Sequence, residues 1–192
     1  MPLKHEYDGL LNHMAHRRGE AETFLQFLED NTNWLSCPAS VHHHLNVEGG
    51  LIAHSVLVAR TLFKLSDAVQ SGHSRESLAM VALFHDVGKL GTPENPWILT
   101  RQTPNGPEFS ISDKPIAMAQ GVASLYLCAR HLTLTDEEAQ AICYHDGQYV
   151  PENAAVQNRE TPLLLLLHMA DLWSSHVIER SDPNELIASL QR

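Results

Sequence analysis

The chain has 192 residues, 43% of them hydrophobic and 19% charged, a balance that predicts one globular domain, residues 1–192, with a sizeable core. Its 13 Lys and Arg against 23 Asp and Glu give a formal net charge of -10, which repels a phosphate backbone over most of the surface and argues against duplex nucleic acid as a partner. A small anion in a cleft stays compatible with that charge, because one cation and a few donors can reverse the local field.

Met1 to Leu10 is polar and charged with no apolar run, so no secretory leader is expected there. Nowhere does the chain approach the roughly 18 apolar residues a membrane span needs, so a cytosolic protein with no membrane partner is predicted. Ala21 to Asp30 sets Phe24, Leu25, Phe27 and Leu28 among acidic residues, a helical pattern that Pro38 closes off. Leu51 to Ala68 is too apolar for a surface helix and should be largely buried. Ser74 is a candidate N-cap for the next helix, which Val87-Gly88 should end, leaving His85 and Asp86 at its C-terminus.

From Leu90 to Asp113 the chain is rich in Pro and Gly. Trp97 to Leu99, then Phe109 and Ile111 around Asn105-Gly106, suggest a short irregular β-hairpin whose aromatics pack it onto the body. Helix returns from about Pro115 to His131, and again after Thr135, where Thr135 and Glu138 form a capping box. Gly147 to Glu160 reads as a polar loop. Thr161-Pro162 opens a helix whose run Leu163 to Leu167 predicts a core helix apolar all round, and a last helix follows Asp182-Pro183. Cys37, Cys128 and Cys143 are odd in number and widely spaced, so reduced thiols are expected rather than disulfides or a thiolate metal site.

The 13 histidines are the unusual feature of the composition. His54, the His85-Asp86 doublet and Asp171 all fall on predicted core elements. An ionised Asp buried there is costly unless a cation or hydrogen bonds compensate it, and a metal does so while taking the imidazoles as neutral ligands. Neighbouring helical residues point about 100° apart, so His85 and Asp86 can grip one ion only near a helix end, which Val87-Gly88 supplies. Nitrogen and oxygen ligands without thiolate suit manganese, iron, cobalt, nickel or zinc better than calcium.

Gly49-Gly50-Leu51-Ile52-Ala53-His54, His85-Asp86-Val87-Gly88-Lys89 and Ala170-Asp171 together resemble the HD superfamily of metal-dependent phosphohydrolases, over roughly residues 40–176. The resemblance implies an all-α helical bundle, hydrolysis of a phosphoester or phosphoanhydride, and His54, His85, Asp86 and Asp171 as metal ligands. By the same resemblance His44, with His43 beside it, faces the substrate phosphate. His145 matches a position that in some relatives holds a second metal, and here it is assigned to substrate binding and catalysis. Gln120 stands where those relatives carry the other histidine, and a neutral amide is a poor ligand, so one ion is expected, with a second left open. Lys89, beside the doublet, is placed to neutralise a phosphate oxygen, and Asp86 doubles as ligand and water-orienting group.

Three functions are compatible with these residues. The first is hydrolysis of a small nucleotide, favoured by the acidic surface. The second is a phosphodiesterase or 3′-5′ exonuclease, which needs a basic groove, and only Arg101, Lys114 and Arg130 lie near in sequence to build one. The third is a non-catalytic nucleotide-binding module, disfavoured because an unused buried charge cluster would only cost stability. The substrate and the oligomeric state are left open.

Overall fold

The computed structural model describes residues 4–113 and 116–190. The architecture is helical. Helices α1 (Lys4–Leu11) and α2 (Arg18–Asn31) precede the long α3 (Gly50–Val69), which packs against α4 (Arg75–Phe84) and α7 (Pro162–His176). Helix α5 (Gln120–Ala129) lies on α6 (Asp136–Tyr144), α6 lies on α7, and α8 (Pro183–Leu190) ends the described chain. Buried apolar residues from Tyr7 to Leu190 form one cluster, and α3 and α4 supply much of it, from Leu51 to Leu62 and from Leu78 to Phe84. Among the described residues no helix is long and apolar enough to cross a membrane.

The helix starts follow the capping chemistry of the sequence. Ser74 accepts from the Ser77 amide, Thr135 and Glu138 close a reciprocal capping box, and Thr161 accepts from the Leu164 amide with Pro162 behind it. The hairpin is β3 (Ile98–Thr103) against β4 (Gly106–Ile111), turning at Pro104-Asn105, with Trp97 and Phe109 half-buried against the core. A second, two-residue ladder pairs β1 (Gly91–Thr92) with β2 (Asn95–Pro96).

Three local expectations are corrected, and one helix was not foreseen. Pro115, the expected start of the fifth helix, lies outside the described residues, and α5 itself begins at Gln120. Short 3-10 turns at Gly147–Tyr149 and Pro151–Val156 occupy the expected polar loop. Helix α1 has no counterpart in the predicted elements. Helix α7 is not buried all round: Leu163, Leu164, Leu166 and Leu167 face the core, but Leu165, Met169, Trp173 and Val177 form an exposed stripe at four-residue spacing. A run of five leucines necessarily passes the outer face of a helix that packs on one side only.

Candidate metal centre

Helix α3 starts under steric constraint. A Cβ on Gly50 would stand 2.1 Å from the Leu45 carbonyl oxygen and 2.9 Å from the Ala39 amide nitrogen, so only glycine lets the 39–45 loop lie against this helix end. The Leu51 amide donates to the Cys37 carbonyl at 2.9 Å and fixes the same junction. His54, one turn into α3, faces inward, and His44 on the loop comes to a ring-centroid distance of 5.1 Å from it.

Helix α4 stops at Phe84, His85 caps it, and a 3-10 turn, Val87–Leu90, takes over. This change of helix type lets consecutive residues, His85 and Asp86, both turn into the interior, where each is at most 2% exposed. Gly88 admits the start of α5: a Cβ there would meet the Gln120 carbonyl oxygen at 2.4 Å and the Ser124 amide at 2.6 Å. The Gly88 amide donates instead to the Ser124 hydroxyl at 2.9 Å. Gln120 is thereby placed over Asp86.

The three buried imidazoles are oriented in the same sense. The Nδ1–H groups of His85 and His145 donate to the Ala82 and Ile142 carbonyls at 2.9 and 2.8 Å, and that of His54 donates to the Glu179 carboxylate at 2.8 Å. A neutral ring fixed this way presents the Nε2 lone pair on its other side. His54 Nε2 lies 3.2 Å from His85 Nε2, 3.2 Å from Asp171 Oδ1 and 3.4 Å from Asp86 Oδ2. His145 Nε2 lies 3.2 Å from Asp86 Oδ1. His54, His85 and Asp86 offer ligand atoms within 4.8 Å of one another, as do His85, His145 and Asp171. The Lys89 ammonium donates to Asp86 Oδ2, and the Gln120 amide donates to Asp86 Oδ1 while standing 3.4 Å from His145 Nε2.

Buried charge dominates the electrostatics of the cluster. Burial pushes Asp86 and Asp171 up, yet Lys89 and His85 beside the first and His54 beside the second hold both well below the usual carboxylate range. Burial lowers His54 and His145, but Glu179 and Asp171 bring His54 up to about 10, and Asp86 and Asp146 bring His145 up to about 9. His85, for which burial prevails, sits at about 4. Two ionised carboxylates and converging nitrogens without thiolate are a donor set that a divalent transition ion fits.

Asp86, Asp171, Lys89 and Gln120 open from this cluster onto a cleft of about 1070 Å³, lined also by His43, His44, His168, His176 and Arg180. The structure brings together the residues given site roles from the sequence: His44, His54, His85, Asp86, Lys89, His145 and Asp171. It does not bring in Arg101, which pairs with Glu108 on the hairpin, or Arg130, which stacks on Tyr126. Lys114 lies outside the described residues. Sequence reasoning missed Glu179, Arg180 and Asp146. Only the last carried a signal, as the residue after His145 in a second His-Asp doublet.

A family model described as HD domain matches residues 51–174. No curated protein and no solved structure matches the chain.

Proposed function

Because this chain belongs to the HD domain family of metal-dependent phosphohydrolases, we propose that it hydrolyses a phosphate ester or anhydride of a small nucleotide. One ion of manganese, iron, cobalt, nickel or zinc would be held by His54, His85, Asp86 and Asp171. Such an ion, when bound, polarises a phosphoryl oxygen and acidifies a water for in-line attack. Lys89, half-buried beside Asp86, supplies a fixed positive charge for a phosphate oxygen. His44, lining the cleft beside His54, approaches the phosphate, and Arg180 at the exposed mouth adds a second fixed cation. His145 serves substrate or water, and Asp86 orients the water.

The observation that carries this reading is the shared orientation of three buried imidazoles, each tied by Nδ1–H, with their Nε2 atoms turned towards Asp86 and Asp171. A single ion is favoured because the Gln120 amide, a poor ligand, sits beside both Asp86 Oδ1 and His145 Nε2, where a second ion would need a donor. The cleft volume, near the upper end of small-molecule sites, and the acidic surface favour a mononucleotide over a polynucleotide. Three free cysteines accord with work in the reducing cytosol.

The test is a screen of nucleoside mono- and triphosphates, cyclic dinucleotides and short oligonucleotides with chelated and metal-reloaded protein. Phosphate release from a mononucleotide, restored by the ion, is expected. Full turnover by chelated protein would defeat the metal mechanism, and turnover confined to diesters would replace the substrate with that of a phosphodiesterase or exonuclease.

A further inference from the structure

Glu179 stands outside the matched family segment, which ends at residue 174, and outside every motif of the sequence. It sits on a 3-10 turn, Ile178–Arg180, just past the end of α7. The residue is only 3% exposed, although an ionised carboxylate at that depth is costly without partners. Both its oxygens are committed: Oε1 accepts from His54 Nδ1 at 2.8 Å, and Oε2 accepts from His44 Nδ1. Its partners lie 125 and 135 residues earlier in the chain.

We propose that Glu179 is a positioning residue that couples the metal-holding imidazole His54 to the substrate-facing imidazole His44 through one buried carboxylate. An ionised carboxylate only accepts hydrogen bonds, so it requires a proton on Nδ1 of both rings. For His54 this directs the Nε2 lone pair towards His85, Asp86 and Asp171 and raises the basicity of the ligand. For His44 it fixes the ring against the cleft wall and leaves Nε2 as the free nitrogen, which donates to a phosphate oxygen when the ring is an imidazolium. Each ring therefore depends on the same anchor, and loss of Glu179 disturbs both. The inference rests on the metal and phosphate reading above.

Cobalt(II) and inorganic phosphate test it without any knowledge of the substrate. Wild type, Glu179→Ala, Glu179→Gln, His44→Ala and the double variant His44→Ala/Glu179→Ala are compared, with folding checked by circular dichroism. Cobalt affinity is read from its visible spectrum in competition with a chelator, and phosphate affinity from the change in that spectrum at saturating cobalt. Glu179→Ala should weaken cobalt about 10- to 100-fold, the usual loss when a ligand's outer partner is removed. His44→Ala should leave cobalt affinity unchanged and weaken phosphate, and the double variant should bind phosphate no more weakly than Glu179→Ala. Glu179→Gln keeps one acceptor oxygen for two donors, so it should recover only part of the loss; it also carries the test if the alanine variant fails to fold. Wild-type cobalt affinity in a folded Glu179→Ala protein, or phosphate losses that simply add, would overturn the coupling. A second cobalt in the wild type that vanishes in Glu179→Ala would also overturn it, because the carboxylate would then be a ligand between His44 and His54. If the wild type binds no cobalt, the metal reading itself fails.

Discussion

His85 and Asp86 have no substitute at the site, because each is buried with its donor atom committed to the same gap. Asp86→Ala and His85→Ala should each abolish metal binding and turnover while the helical circular dichroism persists, since α3, α4 and α7 pack on one another through a large apolar cluster. Wild-type turnover in either variant would remove the doublet from the chemistry. Gln120→His makes the complementary prediction. It replaces an amide donor with an imidazole beside His145 and Asp86, so a second ion per chain, seen by metal analysis, and a shift towards diesters are expected. A variant that still binds one ion would show that Gln120 does not set the metal number. His54, His85, Asp86 and Asp171 were legible because each sits in a short local pattern. Glu179 was not: its identity as an anchor is written only in contacts with residues more than a hundred positions away.

Elements were legible where their ends carry local chemistry, as at Ser74, Thr135 and Thr161, whose side chains cap the helices they precede. They were illegible where stability comes from tertiary contact. Helix α1 spans eight residues, too few for a period to show, and is held by packing against α4. A sharper case is Arg17, just ahead of α2. It donates to both oxygens of the fully buried Glu138 at 2.6 and 2.7 Å, and to Glu76 at 2.7 Å, tying α2 to α4 and α6. Burial raises both carboxyls, but Arg17 and backbone donors bring them below the ordinary value of 4.5. Groups depressed in the folded state stabilise it above their unfolded pKa, and that contribution is lost as pH falls through the depressed values. Melting temperature should therefore fall as the pH drops below about 4.5, the ordinary glutamate value. Arg17→Met should cost about 3 kcal/mol near neutral pH, by leaving the Glu138 carboxylate buried without a counter-charge, with the gap to wild type narrowing in acid. Urea melts of the two proteins across pH measure this, and a gap independent of pH would dismiss the ion pair as its cause.

For the molecule as a whole, the site is a junction. His54 comes from α3, His85 and Asp86 from the end of α4, Asp171 from α7, and Gln120 and His145 from α5 and α6. A ligand that binds only the folded arrangement stabilises it by mass action, by about 2.7 kcal/mol at a hundredfold excess over Kd. Chelation should accordingly lower the melting temperature and reloading should restore it, with the size of the shift following ion concentration. A melting temperature indifferent to the ion would mean that the cluster is already balanced by its own protons.

The outward stripe of α7 makes that same helix visible to light. Trp34 is wholly buried and Trp97 partly so, while Trp173, two residues beyond Asp171, is 56% exposed. The three indoles should thus emit from three surroundings: acrylamide should quench the red-shifted share belonging to Trp173 and leave the blue-shifted share of Trp34. Trp173 points away from the cleft, so a change in its fluorescence on adding a spectroscopically silent ion such as zinc would report a shift of the helix backbone rather than contact with the metal.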